Sequence, residues 1–230
     1  MADGRADAPA PYDARDPHAG RPLRVAGVPL SGARAALVLV HGRGASAESI
    51  LELGFALGIA GVGYVAPQAE GGTWYPHSFL APLAANEPGL SSGLRAVGRA
   101  LDAVAAAGVP PERTVLAGFS QGACLAAEYA ARHARRLGGL AVLSGGLIGP
   151  DGTPRDYPGS LAGTPVFLGC SDRDPHVPAP RVRESADVLR ALGGDVTLRI
   201  YPGMPHTVVD DELDAVRAML RGAGAAAPAP

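Results

Sequence analysis

Short apolar runs alternate along the chain with longer stretches in which apolar residues recur at helical spacing. The runs predict strands at Leu23–Val28, Ala35–Val40, Gly63–Ala66, Thr114–Gly118, Gly139–Leu143, Pro165–Gly169 and Val196–Tyr201. The stretches between them predict helices at Ser46–Ala60, Ser92–Ala107, Gln121–Arg135, Arg181–Leu192 and Val208–Arg221. In the second helix Leu94, Val97, Leu101 and Val104 form one apolar stripe.

Regular alternation of strands and helices indicates an α/β domain. The apolar strands predict a mostly parallel sheet with helices on both faces and no large separate cap domain. We expect one domain over residues 21–221, with flexible tails at residues 1–20 and 222–230, where Ala, Pro and Gly dominate without periodicity. Ligands of such sheets bind at the carboxyl ends of the strands.

One stretch, Pro67 to Leu90, interrupts the alternation. We call it the aromatic segment, because it concentrates Trp74, Tyr75, His77 and Phe79 without a clear period. Irregular stretches of this length inside compact domains usually carry function or are disordered, and aromatic content argues against disorder. We predict that these four residues form a wall of the substrate pocket. The alternative is a loop that only packs down over the sheet.

Composition and charge narrow the class of protein. The 230 residues are 47% hydrophobic and 18% charged, with a net charge of −2, which argues against a nucleic-acid or anionic-membrane surface. Every basic residue is arginine, so lysine-based catalysis is excluded. The sequence shows neither an apolar run long enough to span a bilayer nor the apolar core of a secretory signal, and we expect a cytoplasmic protein. The neutral, Gly- and Ala-rich surface is compatible with a homodimer.

The two cysteines, Cys124 and Cys170, fit no metal or disulfide pattern. We predict that each is a small buried thiol, which is the common environment of a free cysteine.

The strongest chemical signal is Gly118-Phe119-Ser120-Gln121-Gly122, which stands between a predicted strand and a predicted helix. G-x-S-x-G in this context is typical of a nucleophile elbow, in which a tight turn exposes the serine hydroxyl at the sheet edge. The alternative is a chance match in a chain with 32 glycines. The strand before and the helix after favour the elbow, with Ser120 as the nucleophile.

A serine nucleophile needs a base and an acid that orients it. In this type of fold the acid and then the histidine follow the serine on loops after late strands. His206 meets this requirement, because it follows the last predicted strand in a Pro- and Gly-rich turn. The acid lies after the strand before it, where Asp172 and Asp174 both fit by position and the rigid Pro175 favours Asp174.

Two backbone N–H groups are expected to bind the oxyanion. One belongs to Gln121, directly after the nucleophile. The other should come from the loop after the second strand, where Gly42-Arg43-Gly44 allows close approach to a ligand, and we choose Arg43.

Taken in order, L-V-H-G-R-G, A-P-Q-A, G-F-S-Q-G, S-D-R-D-P-H-V-P and G-M-P-H resemble the phospholipase/carboxylesterase family of α/β-hydrolases, which includes acyl-protein thioesterases. The resemblance runs from about Leu23 to Leu220. It implies Ser120 as nucleophile, Asp174 rather than Asp172 as acid and His206 as base. It also implies Arg43 and Gln121 as oxyanion donors, and neither a metal nor a cofactor.

The predicted function is therefore hydrolysis of a small-molecule carboxylic ester through an acyl-enzyme. The aromatic residues favour short-to-medium acyl or aryl esters. Thioesters or lysophospholipids are the first alternative, and lactones of the dienelactone type are the second. A non-catalytic binding protein on the same fold is a further alternative, which the ordered serine, acid and histidine disfavour.

Overall fold

A seven-stranded sheet forms the centre of the computed structural model, which describes residues 13–225. The strands are β1 Leu23–Gly27, β2 Ala35–Val40, β3 Val62–Pro67, β4 Thr114–Phe119, β5 Gly139–Leu143, β6 Pro165–Ser171 and β7 Asp195–Tyr201. They lie in the order β1-β3-β2-β4-β5-β6-β7. All neighbouring strands pair in parallel except β1 and β3, which pair antiparallel.

Five α-helices cover both faces of the sheet. They are α1 Ala47–Ala56, α2 Gly89–Ala106, α3 Gln121–Arg132, α4 Ala179–Ala191 and α5 Asp210–Ala225. One apolar cluster joins α2, α3 and α4 to the sheet, and the other joins α1 and α5 to its opposite face. Within residues 13–225, none of the helices combines the length and the apolarity needed to cross a bilayer.

The predicted fold class is confirmed, and burial explains why the strands could be found. Every residue of β2, β3 and β5 is buried, so these strands appear in the sequence as unbroken apolar runs. Predicted and observed strands overlap at all seven positions, with differences of one or two residues at their ends. Cys124 and Cys170 are buried free thiols, as predicted.

The prediction of a flexible N-terminal tail is wrong for residues 13–20, because these residues pack on helix α2. The Asp16 carboxylate pairs with Arg95 at 2.9 Å and with Arg99 at 3.6 Å, and it accepts a hydrogen bond from Ser92 Oγ. His18 is only 2% exposed. These contacts join residues more than 70 positions apart, so no local periodicity could reveal them. Residues 1–12 lie outside the described residues.

The predicted C-terminal tail is also corrected, because α5 continues through Ala225. Ala223 is buried against the sheet, and this packing holds the last helical turn despite Gly222 and Gly224. The remaining predicted tail, residues 226–230, lies outside the described residues.

The ends of the other helices differ from the prediction by up to four residues. Helix α1 ends at Ala56, before Gly58, which has a φ of +63°. Helix α2 begins at Gly89, three residues before the predicted start. The aromatic segment is ordered, with 3₁₀ turns at Glu70–Gly72 and Leu83–Asn86.

Candidate active site

The turn between β4 and α3 holds Ser120 in a strained backbone conformation, with φ 56° and ψ −121°. The two flanking glycines are required by close backbone contacts. A Cβ on Gly118 would lie 2.4 Å from Gly122 O, and a Cβ on Gly122 would lie 2.1 Å from Val40 O. The elbow therefore forms only with glycine at both positions, and it leaves the half-buried Ser120 at the carboxyl end of β4.

Four loops meet Ser120 at this edge of the sheet. Arg43 follows β2, the aromatic segment follows β3, Asp174 follows β6 and His206 follows β7. Because these strands are parallel, their carboxyl ends lie on the same edge. Residues as far apart in the chain as Arg43 and His206 thus lie in one region.

Ser120, His206 and Asp174 form a continuous hydrogen-bonded chain. His206 Nε2 lies 2.9 Å from Ser120 Oγ, and His206 Nδ1 lies 2.6 Å from Asp174 Oδ2. Asp172, the other candidate acid, is exposed and accepts a hydrogen bond from the Gly203 N–H at 2.7 Å. Only Asp174 of the two candidates therefore contacts the imidazole.

The Asp174 side chain is held as a carboxylate. Burial alone would raise its pKa, but the hydrogen bond to His206 and the N–H groups of His176 and Val177 lower the pKa below its usual value. A carboxylate at this position accepts the Nδ1–H of His206. The Nε2 lone pair then faces the hydroxyl of Ser120, which is the tautomer that a general base requires.

Two aromatic rings pack against the His206 imidazole. The Phe119 ring lies 5.0 Å away between centroids, and the His176 ring lies 4.9 Å away at an interplanar angle of 73°. Neither residue has a role predicted from the sequence. Phe119 is the variable position before Ser120 and His176 lies two residues after Asp174, so adjacency to the predicted catalytic residues is the available signal.

A cavity of about 500 Å³ lies above Ser120. Tyr75, His77 and Phe79 of the aromatic segment line it, as do Phe119 and His176. The remaining lining residues are Gly42, Arg43, Ala45, Pro76, Ser78, Ser120, Gln121, Cys124, Val177 and His206.

The prediction that Trp74 lines the pocket is wrong, and Trp74 is instead a buried support. It is fully buried behind the cavity wall, and its indole Nε1–H donates to the His41 carbonyl at 2.8 Å. The Trp74 ring packs on the His41 ring at 4.8 Å. The indole thereby ties the aromatic segment to the loop after β2.

His18 and His41 are two further buried supports, which the sequence did not reveal. His18 Nδ1 accepts the Glu70 N–H at 3.0 Å, and His41 Nε2 accepts the Ala69 N–H at 3.1 Å. A ring nitrogen that accepts a hydrogen bond must be unprotonated, so each ring is neutral. Burial lowers the pKa of both histidines below the ordinary value of 6.5.

The two predicted oxyanion donors lie at the edge of the cavity. Gln121 is the first residue of α3, where N–H groups have no carbonyl partner within the helix. Gly42, next to Arg43, approaches the elbow so closely that its Cβ would lie 3.4 Å from Ser120 Cβ. The backbones of both predicted donors are therefore near Ser120.

Other reactive groups near the cavity are not suited to catalysis. Burial raises the pKa of the Cys124 thiol to about 12, so it remains protonated and a poor nucleophile at neutral pH. Within residues 13–225, no group of three or more His, Cys, Asp or Glu side chains is arranged to hold a metal ion.

A second groove, of about 600 Å³, lies beside α5 and the amino-terminal ends of β6 and β7. It is lined by small, apolar and charged residues, and neither serine nor histidine is among them. Side-chain chemistry, rather than volume, therefore selects the cavity above Ser120 as the candidate active site.

Fold and site together define an α/β-hydrolase. Residues 28–223 match the family described as phospholipase/carboxylesterase. The chain therefore belongs to the phospholipase/carboxylesterase family.

The crystal structure of a phospholipase/carboxylesterase from Dyadobacter fermentans is similar, with a TM-score of 0.83 and 41% identity. The similarity covers 87% of this chain and 96% of that one. Among curated proteins, acyl-protein thioesterase 1 of Gibberella zeae is 38% identical over 50% of this chain and 49% of its own length. A probable carboxylesterase of Oryza sativa is 30% identical over 61% of this chain and 54% of its own. The matched region thus spans about half the length of these curated relatives.

Proposed function

We propose that the protein is a serine esterase that hydrolyses carboxylic esters through Ser120, His206 and Asp174. The observation that carries the proposal is the hydrogen-bonded chain from Ser120 Oγ through His206 to Asp174. A serine hydroxyl is a weak nucleophile at neutral pH, and a neutral imidazole within 3 Å is the base that activates it.

In the first half of the reaction, Ser120 Oγ attacks the ester carbonyl carbon and His206 Nε2 takes its proton. The carbonyl oxygen becomes an oxyanion, which the backbone N–H groups of Gln121 and Arg43 stabilise. The imidazolium then returns the proton to the leaving alcohol, and the acyl group remains on Ser120. Asp174 stabilises the imidazolium without itself taking the proton.

In the second half, a water molecule gives its proton to His206 and attacks the acyl-enzyme. The same N–H groups stabilise the second oxyanion. His206 returns the proton to Ser120 Oγ, and the acid is released.

The volume and the lining of the cavity support a compact substrate. Its volume of about 500 Å³ lies within the usual range of small-molecule sites, and the aromatic residues Tyr75, Phe79 and Phe119 are among those that line it. We therefore propose short-to-medium acyl or aryl esters. The second candidate is a thioester, because a similar curated protein is named acyl-protein thioesterase. Cytoplasmic location and a homodimer remain predictions.

The test is a series of p-nitrophenyl esters from acetate to palmitate, with thioesters of the same acyl groups. We expect kcat/KM to peak at short or medium chains in the wild type and to fall to background in Ser120→Ala. A maximum at palmitate, or higher rates with the thioesters, would replace the proposed substrate class.

Fluorophosphonate labelling separates hydrolase chemistry from binding. We expect the wild type to be labelled and Ser120→Ala to remain unlabelled. Ser144→Ala is the matched control, because Ser144 also has a positive φ at a strand end but is fully buried. The Ser144→Ala variant should be labelled like the wild type. Equal labelling of wild type and Ser120→Ala would overturn the proposal.

A further inference from the structure

Arg43 stands between two glycines in the loop after β2. Gly44 has a φ of +75°, and Gly42 lies against the carbonyl of Phe119. Glycines lose more conformational freedom on folding than other residues do. The backbone of this loop therefore depends on contacts from outside it to hold the Arg43 N–H in one direction.

The main outside contact is made by the Arg43 side chain. Its guanidinium donates to three successive backbone carbonyls of the aromatic segment: Nη2 to Tyr75 O at 3.0 Å, Nη1 to Pro76 O at 2.9 Å and Nη2 to His77 O at 2.7 Å. The Gly44 N–H adds a bond to Gly72 O at 2.8 Å. The aromatic segment thus bends around the guanidinium.

The Gln121 side chain holds the same part of the segment from the other side. Its Nε2 donates to Tyr75 O at 2.8 Å, and its Oε1 accepts the Trp74 N–H at 3.0 Å. The Tyr75 carbonyl oxygen therefore receives hydrogen bonds from both Arg43 and Gln121. One oxygen atom joins the side chains of the two residues whose backbone N–H groups are the proposed oxyanion donors.

We propose that the Arg43 guanidinium is a positioning group for the oxyanion hole. By binding the Tyr75 carbonyl, which Gln121 also binds, it fixes the Arg43 N–H relative to the Gln121 N–H. This inference rests on the proposed esterase function and adds a role for a side chain. The backbone N–H of Arg43 touches the oxyanion, whereas its guanidinium acts through the loop.

The geometry also explains why arginine suits this position. Three carbonyls arranged around one side chain require several donors in a fixed plane, which the guanidinium provides. A lysine ammonium is a compact group on a flexible stem and would keep only part of these bonds. Without the guanidinium, the three carbonyls would turn toward solvent or lose these hydrogen-bond partners.

The test compares Arg43→Met and Arg43→Lys with Arg113→Met as matched control. Arg113 also donates to two backbone carbonyls, Arg34 O at 2.7 Å and Ala33 O at 2.6 Å, but it does so at the opposite end of β2. For each variant we would measure kcat, KM and Tm. We would also measure inhibition by a trifluoromethyl ketone, whose adduct with Ser120 carries an oxyanion.

For Arg43→Met we expect kcat to fall about tenfold or more, with KM within about twofold of the wild type. This loss is smaller than the 10²- to 10³-fold effect of removing a donor, since the N–H is displaced rather than deleted. The ketone inhibition constant should rise by the same factor as kcat falls. Arg43→Lys should lie between Arg43→Met and the wild type, and Arg113→Met should match the wild type in kcat and inhibition.

Two outcomes would overturn the inference. One is an unchanged kcat and inhibition constant in Arg43→Met. The other is a loss that appears only as a lower Tm or a higher KM, which is what a merely structural arginine would produce. Failure of the proposed function looks different, because the wild type itself would then show no turnover that depends on Ser120.

Discussion

The two sides of the site, one beside β2 and β3 and the other beside β6 and β7, are built in different ways. On the β2–β3 side, buried residues far apart in the chain hold the site: His18 bonds the aromatic segment, and Trp74 ties that segment to His41 in the loop that carries Arg43. On the β6–β7 side, Asp174 and His206 stand on near-surface loops and contact each other directly. Backbone donors must be oriented by their surroundings, whereas the proposed acid and base are oriented by the bond between their side chains and by the neighbouring N–H groups of His176 and Val177. The first side therefore needs more of the protein than the second.

The largest expected effect is on the β6–β7 side, from Asp174→Asn. The substitution keeps the shape of the side chain but removes the charge, so the imidazole loses its orienting acceptor and its tautomer is no longer fixed. We expect kcat to fall by about 10⁴-fold. Steady-state kinetics with a p-nitrophenyl ester measures the loss.

Asp172→Asn is the control for this substitution. Asp172 lies on the same loop and bonds the Gly203 N–H instead of the imidazole. It should keep kcat within a few-fold of the wild type. An inactive Asp172→Asn variant beside an active Asp174→Asn variant would show that the pair has been assigned the wrong way round.

A smaller effect concerns the stability of the β6–β7 side at alkaline pH. Glu212, in the first turn of α5, is fully buried, and burial raises its pKa from 4.5 to about 7. Its Oε2 accepts the Val209 N–H, whereas Oε1 has no hydrogen-bond partner among residues 13–225 and lies against Gly169. Nearby Asp211 disfavours its ionisation further.

Because the folded pKa exceeds the unfolded value, the stability that Glu212 contributes is complete below about pH 4.5 and is lost as the pH rises through 7. Glu212→Gln should therefore be more stable than the wild type at pH 8, by up to about 3 kcal/mol. The difference should vanish near pH 4.5. Chemical denaturation at both pH values measures it. Asp210→Asn, an exposed acid in the same turn, should show no such gain, and a gain in both variants would point to a general charge effect.

The smallest effect lies on the β2–β3 side and has the opposite dependence on pH. His18 and His41 have folded pKa values below 6.5, so the unfolded chain takes up protons first as the pH falls. Stability is then lost below about pH 6.5. His18→Asn should lower the free energy of unfolding by about 1 kcal/mol at pH 8, because the bond from Nε2 to Trp74 O is removed.

This difference between His18→Asn and the wild type should shrink between pH 7 and pH 5, since only the wild type loses the contribution of His18. His133→Asn, which changes an exposed histidine that packs on Tyr129, is the control substitution. A difference for His18→Asn that does not vary with pH would mean that His18 is not held neutral.

Local patterns were sufficient for the sheet and the elbow but not for the supports. The five central strands, β2 to β6, are buried almost throughout, so their apolar runs mark them in the sequence. Gly118 and Gly122 mark the tight turn, because a side chain at either position would collide with nearby backbone. By contrast, Trp74 was expected in the pocket because aromatic content does not show which way an indole points. His18 was assigned to a tail because its partners, Trp74 and Glu70, lie more than 50 residues away.

The alternation of strands and helices, the elbow at Ser120 and the order of Asp174 and His206 after it can all be predicted from the sequence. These features are local, because each depends on neighbouring residues and on the direction of the chain. Tertiary packing, by contrast, turns Trp74 inward and places the side chains of Arg43 and Gln121 on the same Tyr75 carbonyl. It also puts Asp174, which the sequence already favours over Asp172, within hydrogen-bond distance of His206. Those outcomes depend on distances between segments that meet only when the sheet brings its strand ends together.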